Sequence, residues 1–376
     1  MGVSAEDGKQ RIGRLMAQLG GEVDALLCMS PENIYFLTGF RTMLYTRFAA
    51  AVVRFDEPDP PALVASSVDR ALVTSRVWSP PWTERVVYHG THPDVAPTPQ
   101  AAVAPLLQGV RRLGVDSIKL VDAAVIEQAC PGVRLVNVAA QIDSVKVIKT
   151  PVEVSYLRAA NRIAMEGIGR AQALVASGPT TELEVAVELD GFARRQGADG
   201  FGYPTLVSCG VKMLAAHSPA LARPVERGLP LRIAYGPMVE WYTADVVRTV
   251  CAGEPPAQLR RLQDGYLAAR DAIFGRLRPG VTSADLLEAA HAEYARRDLL
   301  GYWRNSIGHG VGLSIHESPR LGAGSKDQVL AGMVLAIEPA LSVAGFGGYA
   351  QCDVVHMTDD GFDLLTPGLQ GLVLAG

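Results

Sequence analysis

The chain has 376 residues, 48% of them hydrophobic and 20% charged, the profile of an ordinary globular protein long enough for two or three domains. A net charge of −4 without any Lys/Arg run excludes an electrostatic footprint for nucleic acid or an acidic membrane surface. No apolar run is long enough to span a membrane, the stretch Met1–Glu6 has no apolar signal core, and Glu6 departs from a myristoylation pattern, so a cytoplasmic protein is expected. Five scattered cysteines (Cys28, Cys130, Cys209, Cys251, Cys352) form no CxxC pair, which argues against a disulfide framework or a zinc knuckle.

Up to about Asp143 the pattern alternates strands and helices. Ala25–Cys28, Ala49–Val53 and Ala62–Ala65 are short apolar runs that read as strands. A helical stretch follows with Val103, Leu106, Leu107 and Val110, and then Ile118–Val121 reads as a further strand. Together they predict a small α/β domain over 1–145, with Pro-rich loops at 57–61 and 95–99. Tyr45 and Arg47 follow an aromatic run ending at Phe40. An arginine beside aromatics reads either as a carboxylate clamp or as a surface residue with its stem packed on tyrosine.

The domain boundary falls in Val145–Pro151, where Pro151 suits the first turn of a helix carrying Val154, Leu157, Ala160 and Ile163. The second domain, 146–376, contains an internal repeat. Gly178-Pro179-Thr180-Thr181 matches Gly280-Val281-Thr282-Ser283, and Phe192-Ala193-Arg194-Arg195 matches Tyr294-Ala295-Arg296-Arg297, both at an offset of 102 residues. Such a repeat predicts two similar halves about a pseudo-twofold axis. Each half delivers histidine after its helix, His217 in the first and His309 and His316 in the second, so a cleft between them would have histidine on both sides. The stretch Ser306–Glu317 places apolar residues at every second position (Val311, Leu313, Ile315), which reads as a strand, with glycines that allow a bulge to re-aim His316. A histidine there is otherwise a satisfied core residue.

His217 before Ser218-Pro219, Tyr242–Thr249, Gly308-His309-Gly310 with His316-Glu317, Ile337-Glu338-Pro339 and Asp353 occur in the order and spacing of one family. Over 145–370 the chain resembles the pita-bread superfamily of methionine aminopeptidase, prolidase, aminopeptidase P and creatinase. The first domain resembles the amino-terminal domain of prolidases and creatinase. The resemblance implies an α+β fold: a C-terminal pita-bread domain with a pseudo-twofold repeat, preceded by a smaller α/β domain. Metal-dependent members hold two ions with two aspartates, a histidine and two glutamates. Here the resemblance retains Asp245, His309 and Glu338, while Ala234 stands eleven residues before Asp245 in place of the first aspartate and Cys352 stands in place of the last glutamate.

No bound metal is therefore the expectation, with one divalent ion (Zn, Fe or Mn) on Asp245, His309, Glu338 and Cys352 as the alternative. Creatinase is the metal-free precedent, and the resemblance to it implies catalytic roles for His217 and His316, supported by His309, Glu338 and Asp245. It also implies a substrate site of Arg47, Tyr45, Arg320, Gln351 and Tyr242. The two glutamates that creatinase sets against guanidinium would fall at Val247 and Gln351, so creatine itself is a poor substrate. The expected function is a creatinase-like hydrolase of a C–N bond in a small carboxylate-bearing substrate. Its alternatives are an X-Pro dipeptidase or aminopeptidase with a degenerate mononuclear site, a lyase or isomerase, and a non-catalytic binding member. The expected assembly is a homodimer with the site shared between subunits.

Overall fold

The computed structural model describes residues 4–42, 47–57, 60–74, 81–369 and 373–375. Tyr45 lies outside them. Contacts divide the chain into two compact units, Met1–Val145 and Lys146–Gly376.

The first unit is built on a six-stranded mixed sheet in the spatial order Val86–His89, Ala62–Ser66, Ala50–Arg54, Ala25–Cys28, Arg112–Val115, Arg134–Asn137. Ala25–Cys28 is buried along its whole length, as an unbroken apolar run demands. It pairs antiparallel with Ala50–Arg54 and parallel with Arg112–Val115. The run Ile118–Val121 is not a strand. Leu120 opens a helix to Ala129, and Leu120 and Val121 are exposed, 90% and 67%. The strand lies just upstream, at Arg112–Val115, where Leu113 and Val115 join the core.

The second unit has two α/β halves. In the first, helices Pro151–Ala176 and Glu182–Arg195 cover a sheet ordered Val373–Ala375, Val246–Ala252, Pro230–Tyr235, Leu206–Cys209. Pro151 occupies the first helical turn, and a capping box of Thr150 and Glu153 fixes the start of its helix. In the second half, Ala257–Arg276 and Ser283–Arg296 cover a sheet ordered Glu317–Gly322, Ser306–Gly310, Val334–Ile337, Asp353–Met357, Phe362–Leu364. Glu182–Arg195 and Ser283–Arg296 are each 14 residues long and each start in a capping box, on Thr181 and Thr282. The caps are 101 residues apart (181 to 282), one fewer than the repeat in the sequence, because the first half caps with the second of its two threonines. The sheets meet where the Cys352 N–H donates to the Val247 carbonyl (2.9 Å) and the Thr249 hydroxyl donates to the Ala350 carbonyl (2.7 Å).

Candidate active site

A cleft of about 630 Å³ opens between the two halves of the second unit, a size suited to a small molecule. The first half contributes Tyr203, His217, Arg232, Ala234 and Asp245, and the second contributes Arg304, His309, His316 and Glu338. His309 is carried by Ser306–Gly310, the strand paired to Val334–Ile337 and Glu317–Gly322. Gly308 lets those strands close up: its φ is +144°, and a Cβ there would stand 1.9 Å from the Ala336 carbonyl oxygen.

The register slips between His309 and Gly310, and the following stretch, 311–316, is a looped connection rather than the strand that its alternation suggests. Val311 and Leu313 are still buried, so the alternation reports burial without pairing. The loop is held from below by Glu317. Its carboxylate accepts the Ser314 N–H (3.1 Å) and lies against Gly312, where a Cβ would meet it at 2.6 Å. It also forms a buried ion pair with Lys149 at 2.7 Å. His316 is thereby displayed at the exposed rim, its ring edge-to-face with His309 at 4.3 Å.

His309 is the electrostatic centre. Its Nδ1 lies 3.0 Å from the Gly310 carbonyl, which can only accept, so Nδ1 carries a proton. Its Nε2 faces Asp245 Oδ2 at 3.5 Å and Glu338 Oε1 at 3.7 Å. Burial opposes charge on this ring, but the Glu338 hydrogen bond and the two carboxylates outweigh it and raise its pKa. Burial pushes Asp245 up to about 7, helped by the charge of Glu338 and opposed by His309 and by hydrogen bonds from Tyr203 and Cys352. The Tyr203 hydroxyl donates to Asp245 Oδ1 at 3.2 Å. His316 is shifted the other way, by burial and then by the neighbouring His309, and so is neutral near pH 7. Paired groups driven in opposite directions are the arrangement that proton transfer needs.

The residues present do not fit a two-metal centre. Ala234 has no donor atom, and it packs with Leu206, Val247, Ala336, Ala350 and Cys352 in an apolar cluster. Cys352 is fully buried, and burial followed by the charge of Asp245 drives its thiol well above the usual range, so that it stands as a neutral donor to Asp245. Among the described residues, no group of three His, Cys, Asp or Glu side chains is arranged to hold an ion.

Of the residues singled out in the sequence, Asp245, His309, Glu338, His217 and His316 come together in the cleft. Two others, Gln351 and Tyr242, do not. Gln351 is fully buried, donating to Asp353 (2.8 Å) and accepting from the Tyr349 hydroxyl (3.3 Å). Tyr242 is buried and donates to Glu153 Oε1 (2.7 Å) at the start of the Pro151–Ala176 helix. Arg320 is exposed on the strand after the loop, directly opposite His309 in the register and so on the same face of the sheet, and its charge acts on His316. Arg47, in the first unit, is exposed, with one long contact (3.5 Å) to Ser66.

Tyr203, Arg232 and Arg304 line the cleft without having been singled out in the sequence. Arg232 had a usable signal: it lies two residues before Ala234 in a strand, on the same face as a lost ligand position.

This architecture, two α/β halves around a cleft and a smaller α/β domain before them, is the pita-bread fold of a hydrolase superfamily. The chain belongs to metallopeptidase family M24, whose model matches residues 155–359, and a Creatinase/Prolidase N-terminal domain matches 9–148. It is 26% identical over 373 residues to "Uncharacterized peptidase YqhT" of Bacillus subtilis, covering 97% of this chain and 99% of that protein. It is 30% identical over 228 residues to the Xaa-Pro dipeptidase of Pyrococcus furiosus, covering 60% and 64%. An Xaa-Pro dipeptidase structure from Bacillus anthracis superposes with a TM-score of 0.85 at 20% identity, covering 98% of this chain and 99% of that one. A prolidase from Thermococcus sibiricus does so with 0.86 at 21%, covering 98% and 99%. These superpositions establish the fold. Among the described residues, no helix is long and apolar enough to cross a membrane.

Proposed function

We propose that the chain hydrolyses a C–N bond in a small carboxylate-bearing molecule of Xaa-Pro dipeptide size, with the acid–base groups of the cleft acting where relatives would use two metals. The peptidase family and the Xaa-Pro dipeptidases among its relatives favour an amide substrate over a creatine-like one. The observation that carries the reading is His309 held between Asp245 and Glu338, with His316 stacked edge-on beside it.

In this scheme neutral His316 at the rim accepts a proton from water as the oxygen attacks the carbonyl carbon. The buried group of Asp245, His309 and Glu338 keeps one proton in reserve and balances the charge that develops. His217, on the exposed lip, delivers a proton to the leaving nitrogen as the C–N bond breaks. Water supplies the new C–O bond, and the products are an acid and an amine.

The test is a panel of Xaa-Pro dipeptides, an X-Pro tripeptide and N-acyl amino acids, assayed after chelation and again with manganese, cobalt or zinc added. Cleavage of a dipeptide that survives chelation and falls about 100-fold or more in His316→Ala is the expected result. A panel untouched under every condition removes the hydrolase reading, and dependence on added metal removes the metal-free scheme. A second reading, a creatinase-like hydrolase of a non-peptide C–N bond, is favoured by the apolar Ala234–Cys352 cluster. It predicts cleavage of N-acyl amino acids or related zwitterions with the dipeptides inert.

A further inference from the structure

The cleft has a cationic wall. Arg232 leaves the Pro230–Tyr235 strand on the same face as Ala234, two residues on, and both line the cleft. Arg304, from the loop ahead of the His309 strand, lines it too. The two guanidiniums converge on one loop. Arg232 donates to the carbonyls of Met213 (3.4 Å), Ala215 (3.3 Å) and Ala216 (2.5 Å), and Arg304 donates to that of Leu214 (3.3 Å). Among the described residues, every hydrogen bond that either guanidinium makes ends on a main-chain carbonyl, and Arg232 Nε is buried with no partner.

The carbonyls satisfy part of each guanidinium but neutralise neither charge. A half-buried guanidinium without a carboxylate is costly, and a second one nearby adds repulsion. Burial, and to a lesser degree Arg304, work against the charge of Arg232, while Glu338 across the cleft favours it. A docked anion would neutralise both cations. Guanidinium forks match carboxylate oxygens two at a time. The cleft is also lined by the apolar Leu206, Met213 and Val247.

We propose that Arg232 and Arg304 anchor the carboxylate of the ligand, with its apolar body against those apolar side chains and its reacting bond toward His316. The proposal rests on the hydrolase reading for the direction of the bond, but the anchor itself is a binding property. It assigns carboxylate recognition to two residues of the cleft wall that the sequence did not single out. It also places fixed positive charge beside the position where Ala234 has removed a metal donor.

The experiment is calorimetric titration of the full chain with matched acid and amide pairs, N-acetylproline against N-acetylprolinamide and hexanoate against hexanamide. The acids are expected to bind at least about tenfold more tightly than the amides, and Arg232→Gln to erase that preference. Arg304→Gln, at an exposed position that should not disturb folding, is expected to reduce it, and Arg232→Lys to restore part of it. Equal binding of acids and amides by the native chain overturns the proposal. So does a preference that survives both glutamine variants, or one lost in Arg320→Gln instead. An acid preference carried by Arg232 in a protein that cleaves nothing in the substrate panel upholds the anchor while the hydrolase reading falls. Cleavage without that preference does the reverse.

Discussion

Glu317 shows how one residue can serve the site from beneath it. Its carboxylate is buried with the Lys149 ammonium at 2.7 Å and fastens the loop that displays His316. Burial alone would raise its pKa, but the charges of Lys149 and Lys146 overcome that and hold it below the ordinary value of 4.5. A carboxyl group depressed in the folded state contributes stability above its unfolded pKa and loses it as pH falls through the folded one. Glu317→Gln strands a buried ammonium and is expected to cost about 3–5 kcal/mol at neutral pH by denaturant unfolding. The gap between native and variant should hold above about pH 5 and close as acid protonates the native carboxylate. A gap independent of pH from neutrality down to acid unfolding would show that the pair contributes no linkage.

At the scale of elements, the two sheets are tied by a buried charge node. Arg248, on Val246–Ala252, is fully buried and reaches Asp353 Oδ1 at 2.8 Å. Arg270, on Ala257–Arg276, reaches Oδ2 of the same aspartate at 2.5 Å, where Gln351 also donates. Asp353→Asn leaves two guanidiniums facing a neutral amide and is expected to lower stability by about 3–5 kcal/mol, read as a shifted denaturant midpoint at constant slope. The node lies next to Cys352, which donates to Asp245, so the variant should also lower turnover in whatever assay reports the cleft. Loss of stability with unchanged kcat would separate the node from the site.

For the whole molecule, the proposed sharing of the site between two copies predicts complementation. If Arg47 serves the partner's cleft in a role beside the carboxylate anchor, so that Arg47→Ala and His217→Ala are each inactive alone, the two should regain about a quarter of native activity when mixed and reassembled, because half the dimers are mixed and each has one intact site. No recovery in a demonstrably exchanging mixture would mean that Arg47 serves no partner's cleft.

Much of the fold was legible locally. Thr150-Pro151 and Thr181 start helices because caps and proline act within one turn. Ala25–Cys28 is a strand because an apolar run that short has little choice but the centre of a sheet. The loop 311–316 was not legible, since Glu317 is neutralised by Lys149, which is 168 residues away. Gln351 and Tyr242 were misplaced for the same reason: Asp353 and Glu153 attract them, and those encounters are set by packing. What the sequence determined by itself is the absence of donor atoms at Ala234, because no fold can add an oxygen to a methyl group. Which cations face the cleft was decided only by the tertiary structure. Arg232 and Arg304 line it and Arg320 stands opposite His309 on the same face of its sheet, because strand register and loop path, not residue type, set where a side chain points.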